Sequence, residues 1–98
     1  MHHPIYKVTS LKVVGSYKLE LTFNDGVQKT IDFEPVLHGE MFSPLKDLSL
    51  FNRVAIDPEV KTIVWPNGAD FDPAILHNWE EYADEIIRRS QEWELVEN

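Results

Sequence analysis

The sequence predicts an α+β domain: an antiparallel sheet of about five strands packed against a C-terminal helix. Three observations carry this. Along Tyr17–Phe23 the residues alternate, with Tyr17, Leu19, Leu21 and Phe23 on one side and Lys18, Glu20 and Thr22 on the other. That is the period of a half-buried strand. Near the C-terminus Ile75, Trp79, Tyr82 and Ile86 recur every three or four positions, with Leu76, Ala83 and Ile87 beside them, as in an amphipathic helix. Between them, Arg53–Asp57 and Thr62–Trp65 flank Pro58–Lys61, the pattern of a second hairpin.

The elements follow in chain order. Tyr6–Val14 reads as the first strand and Gly15-Ser16 as its turn. The next strands are Tyr17–Phe23 and Val27–Phe33, and the apolar pattern selects the loop between them. A two-residue Asp25-Gly26 loop sets Leu21 against Thr30 and Leu19 against Asp32, mixing the faces. A three-residue Asn24-Asp25-Gly26 loop sets Phe23 against Val27, Leu19 against Ile31 and Tyr17 against Phe33. Directly opposed residues share a face, so the three-residue loop is expected, with Gly26 left-handed in a bulge.

Pro35, Gly39 and Pro44 interrupt the next stretch, which predicts two helical turns, Pro35–His38 and Leu48–Asn52. Leu37, Phe42, Leu45 and Phe51 are expected to plug one end of the core. In the second hairpin, Ile56 should oppose Ile63 and Val54 should oppose Trp65. "WPNGADFDP" (Trp65–Pro73) then reads as a corner. Asn67 and Gly68 tolerate positive φ, and Asp70 is expected to accept backbone N–H bonds inside it. Asp72 caps the final helix, with Pro73 in its first position. That helix is expected over residues 73–93, with Glu80, Glu81, Asp84 and Glu85 on its polar face and Arg88 and Arg89 near its end, where cations suit the helix dipole.

With 98 residues the chain suits one domain, and 43% apolar residues permit a small core. Cysteine is absent, so disulfides, thiolate metal sites and cysteine nucleophiles are excluded. No apolar run approaches membrane-spanning length and the start shows no signal-peptide pattern, so a soluble cytoplasmic protein is expected. The formal net charge is −8, and residues 79–98 hold seven acidic against two basic side chains. Nucleic-acid affinity rests on cations that neutralise phosphates, so direct nucleic-acid binding is not expected.

Little catalytic chemistry is legible. His2, His3, His38 and His77 show no close helical pairing and read as surface residues. No serine sits in a nucleophile elbow and no glycine loop cradles a phosphate. Asp57-Pro58-Glu59 reads as a polar turn. Asn67, Asp70 and Asp72 supply too few oxygens for a calcium loop. No catalytic residue, cofactor or metal is therefore assigned. Two binding regions are: a corner loop of Trp65, Asn67, Gly68, Asp70 and Asp72, and a partner face of Glu80, Glu81, Asp84, Glu85 and Trp93.

"KLELTFNDG", the run Leu37–Leu45, and "VAIDPEVKTIVWPNGADFDP", in that order, resemble domain-of-unknown-function family 2442, a family of small bacterial proteins. The resemblance spans about Tyr6 to Leu76, and "WPNGAD" is its most specific part. It implies a compact α+β domain with no established activity. It also implies relatives with an appended helix-turn-helix domain, and others encoded beside a second small protein in a toxin–antitoxin arrangement. The residues after Leu76 are too few for a helix-turn-helix domain, and they are acidic. Where the family often has a glycine in the second hairpin turn, this chain has Val60-Lys61, so a longer or looser turn is expected.

The reading that results is a non-enzymatic protein-interaction module, antitoxin-like or an adaptor, contacting a small basic protein through the C-terminal helix, or a second copy of itself through a sheet edge. The alternative is a small-ligand-sensing regulatory domain with a pocket near Trp65, Asn67 and Asp70.

Overall fold

The structure is a computed structural model that describes the backbone of residues 5–96 and the side chains of residues 5–92. Its elements are β1 (Val8–Gly15), β2 (Lys18–Phe23), β3 (Gln28–Asp32), α1 (Gly39–Phe42), α2 (Leu48–Phe51), β4 (Ala55–Ile56), β5 (Ile63–Val64), α3 (Pro73–His77) and α4 (Trp79–Val96). Two 3-10 turns, Glu34–Val36 and Ser43–Lys46, flank α1. The fold is α+β, a three-strand antiparallel meander followed by short helices, a second hairpin and the C-terminal helix.

The five strands are divided between two ladders, β1-β2-β3 and β4-β5. In the second ladder β4 and β5 pair over two residues each, Ala55 with Val64 and Ile56 with Ile63. A backbone bond, Val8 N to Lys61 O at 2.8 Å, joins the second hairpin to β1.

The β2–β3 register follows the apolar pattern. Leu19 opposes Ile31, Phe23 N donates to Val27 O at 2.8 Å, and Gly26 has φ of 87°. The same loop geometry recurs in the corner. Trp65 N donates to Ala69 O and Gly68 N to Trp65 O, both at 2.9 Å, and Gly68 has φ of 90°. In each loop a side chain fixes the bulge: Asp25 Oδ1 accepts from Val27 N and Asn67 Oδ1 from Ala69 N, both at 3.1 Å. The corner is therefore a second three-residue hairpin loop, closed by the bridge between Val64 and Asp70. The inward bond expected of Asp70 is made by Asn67 instead, and of Asn67 and Gly68 only Gly68 has positive φ.

Several boundaries differ from expectation. The first strand is Val8–Gly15, and Tyr17 lies in the turn before β2 with φ of 61°. A two-residue turn needs left-handed backbone; here an aromatic residue adopts it, and its hydroxyl donates to Lys46 O. The second hairpin turn is tight, not loose: Asp57 N donates to Thr62 O and Lys61 N to Asp57 O, at 2.8 and 2.9 Å. Lys61, at φ of 61°, takes the conformation a glycine would. Helical structure from Gly39 to Lys46 was not expected from the sequence; the prolines and glycine punctuate it without abolishing it.

The C-terminal helix is also divided. Asn78 leaves helical geometry at φ −108° and ψ 35°, and its amide donates to Ala74 O at 3.2 Å. This is the local side chain-to-backbone competition that makes asparagine a poor helix interior residue. Of the apolar stripe, Leu76 and Trp79 are buried and Ala83, Ile86 and Ile87 are partly buried, while Tyr82 points outward.

The core sits between the inner face of the meander, the short helices and α3–α4. Phe33 is its hub, with ring centroids 5.9 Å from Trp65, 5.4 Å from Phe71, 5.4 Å from Trp79 and 6.2 Å from Phe51. Leu37, Leu45 and Phe51 are fully buried, as expected for the plug; Phe42 is only partly buried, for a reason that bears on the site.

Candidate functional site

The corner loop does three separate jobs. Trp65 belongs to the core, 2% exposed, and its Nε1–H donates to Phe51 O at 2.9 Å. Asn67 ties the loop to α1 by donating from Nδ2 to Met41 O at 2.8 Å. Asp72 Oδ1 accepts from Ala74 N at 2.8 Å, the helix cap expected of it. Thr62, almost fully buried, donates its hydroxyl to Phe71 O and anchors the segment that leaves the loop. Residues 70–72 are thereby held across from α4.

Between that segment and α4 lies a cleft of about 240 Å³. Val36, Phe42, Phe71, Ile75 and Ile86 form its apolar walls. Asp70 and Asp72 also line it, and both are exposed. Ser90 also lines it and donates its hydroxyl to Ile87 O at 2.8 Å. The partial exposure of Phe42 fits this position on the cleft wall, and its ring lies 5.0 Å from Phe71. Of Trp65, Asn67 and Asp70, around which a pocket was expected, Asp70 lines this cleft, while Trp65 turns inward and Asn67 is held by α1.

A second cluster joins α3 to the β2–β3 hairpin. The His77 ring stacks on Tyr6 at 3.8 Å and meets Phe23 edge-on at 5.0 Å. Its Nε2 lies 2.7 Å from Asp25 Oδ2 and its Nδ1 lies 3.1 Å from Asn78 Oδ1. Lys29 Nζ donates to His77 O and pairs with Glu80 at 2.9 Å. His77 is therefore not the surface residue the sequence suggested; its side chain is 13% exposed. Both ring nitrogens face oxygens, of Asp25 and Asn78, so the ring clasps α3 to the β2–β3 hairpin. The sequence carried no such signal, because on an unbroken helix His77 shares a side with Glu81 and Asp84, at i+4 and i+7.

Four carboxyls are held below their ordinary values. For Asp25 the main cause is the bond from Val27 N–H, aided by His77; for Asp57 it is the bonds from the Val60 and Glu59 N–H groups. Asp47 is held by Ser49, and Glu80 by Lys29. A depressed folded-state pKa adds stability that is present above the unfolded value and is lost as pH falls through the folded value. The melting temperature should therefore hold steady from neutral pH down to about the ordinary values of 4.5 for Glu and 3.8 for Asp, and fall below them. Calorimetry across pH 2–7, with Asp25→Asn showing a shallower acid limb, checks this. A Tm that rises on acidification would contradict it.

The acidic partner face is partly occupied from within. Glu80 is bound by Lys29, and Glu85 pairs with Arg89 at 2.9 Å, one helical turn on. Glu81 and Asp84 are exposed, with Tyr82 beside them at 39% exposure. The side chain of Trp93 falls outside the described residues, as do His2 and His3. Among the described residues no group of His, Asp and Glu is arranged to hold a metal ion, and no helix is long and apolar enough to cross a membrane.

Together these features define a small α+β domain with two bulged hairpin loops, one of which helps to enclose an apolar cleft against the last helix. The chain belongs to the family described as protein of unknown function DUF2442, whose profile matches residues 8–82. The match runs past the Leu76 limit read from the motifs and takes in the Asn78 break and the first turn of α4. No curated protein and no solved structure matches the chain.

Proposed function

We propose that this chain is a non-catalytic binding module whose binding element is the cleft between residues 70–72 and α4. The observation that carries this is the cleft itself: about 240 Å³ of apolar-walled space with two carboxylate residues on its lining. An apolar pocket with a few polar groups is the usual form of a small-ligand site. Of the two uses expected from the sequence, the ligand-sensing regulatory domain gains the more direct support.

A thermal-shift screen of a chemically diverse ligand panel tests this, run on the natural chain and on Ile86→Trp, which fills the cleft. A ligand that binds only the native state raises Tm. At least one compound should raise Tm in the natural chain and not in Ile86→Trp. Equal shifts in both would move the site elsewhere.

The protein-partner reading keeps one specific support, the exposed strip Glu81-Tyr82-Asp84 on α4. An antitoxin-like or adaptor role would place a small basic protein there. Affinity capture from native cells, repeated with Glu81→Lys and Asp84→Lys, tests it; a stoichiometric basic partner should be lost with both substitutions. Homodimerisation through β1 has less behind it, because that edge carries Lys12 and two register shifts, features that blunt strand pairing.

A further inference from the structure

We propose that the cleft selects a small amphipathic cation: a primary ammonium or guanidinium joined to a compact apolar body. This rests on the cleft being the binding element, as above, and adds the chemical class of its occupant.

Three observations lead to it. The walls are hydrocarbon and aromatic, with Val36, Phe42, Phe71, Ile75 and Ile86 supplying the surface. They favour an apolar body over a sugar or a nucleotide, whose polar groups would lose water without finding partners. Among the described residues the charge is of one sign: Asp70 and Asp72 belong to the lining, and no lysine, arginine or histidine does. The one hydroxyl among the described lining residues is also engaged, Ser90 donating to Ile87 O. A carboxylate or phosphate ligand would meet two like charges, whereas an ammonium would meet complementary charge.

Size narrows the class. At about 240 Å³ the cleft lies below the roughly 300–1,000 Å³ typical of drug-sized ligands. An occupant with a short chain or one ring fits; a polycyclic one does not. The exposure of both aspartates places the charged head at the mouth and the apolar body inside, the arrangement by which amphipathic groups bury a stem and keep a charge in water.

The test is a titration of nitrogen-15-labelled full-length chain with hexylamine, hexanoate and hexan-1-ol, followed by amide shifts in NMR spectra. Hexylammonium should produce saturable shifts at Phe71, Ile75, Ile86 and Ser90, with a dissociation constant on the order of 1 mM, the scale set by ligand efficiency for seven heavy atoms. It should bind about tenfold more tightly than hexanoate, and Asp70→Asn and Asp72→Asn should each weaken it by about two- to fivefold, the range of exposed charge pairs. Asparagine at position 72 retains the capping oxygen, so the fold is preserved. If hexanoate or hexan-1-ol binds as tightly, the cleft is a binding site but the cation assignment is overturned. If none of the three moves the cleft amides, or if hexylammonium shifts only Glu81 and Asp84, both the assignment and the cleft reading are overturned.

Discussion

Trp65→Ala is expected to destabilise the chain by about 3–5 kcal/mol, the range for emptying a large aromatic site in a core. The indole is 2% exposed and sits within 5.5–6.2 Å, centroid to centroid, of Phe51, Phe33 and Phe71. Its removal also strands Phe51 O, which now accepts the indole N–H at 2.9 Å. An unsatisfied buried acceptor costs about 1–3 kcal/mol. Small domains are stable by only about 5–15 kcal/mol in total, so the alanine variant should be close to unfolded at 37 °C. Urea denaturation followed by far-UV circular dichroism measures the loss. Trp65→Phe separates the two contributions, because it keeps a ring in the core and removes only the donor. A loss below about 1 kcal/mol for the alanine variant would mean that Trp65 faces a ligand and not the core.

That outcome bears on how the signature is read from sequence. The β2–β3 hairpin was legible because opposed residues share a face, and only one loop length kept Leu19 with Ile31. The identical loop at Pro66-Asn67-Gly68 was read only as a corner. After Gly68 the chain offers Ala69 and Asp70 before the next proline-bounded segment, too short a stretch to show alternation. Tyr17 misled for the opposite reason. Its aromatic character extended the alternation by one residue, while the turn required left-handed backbone there. The apolar stripe of the last helix was visible, but its break was not, since a lone asparagine is only a weak signal against helix.

The site itself was hardly legible. The cleft joins Val36 and Phe42 to Ile86 and Ser90, and the clasp joins Asp25 and Lys29 to His77 and Glu80. Each joins segments roughly fifty positions apart, which no local pattern encodes. Asp70 and Asp72 were chosen as candidates for their place in the corner, and the structure puts both on the cleft. Trp65 and Asn67 were chosen on the same grounds, and tertiary packing directs them elsewhere.

Truncation after Tyr82, where the family match ends, should be costly even though it leaves every shared residue in place. Ala83, Ile86 and Ile87 pack partly against the core, and fully buried isoleucines contribute about 1.5–3 kcal/mol each. Half that value for each of the two isoleucines gives about 1.5–3 kcal/mol lost directly. The remnant Trp79–Tyr82 would be one helical turn, and such short helices do not persist alone in water. Trp79, now 9% exposed and packed on Phe33 and Phe71, would loosen with it. The total loss should reach about 3–5 kcal/mol, with dye-binding apolar surface exposed where Val36, Phe42 and Phe71 lose their cover. Urea midpoints and ANS fluorescence of the two chains test this. A truncated chain as stable as the full one, with no ANS signal, would show that the distal part of α4 is an appendage. The cleft would then have no firm wall at Ile86 and Ser90, and the search for a ligand would move to the exposed strip at Glu81, Tyr82 and Asp84.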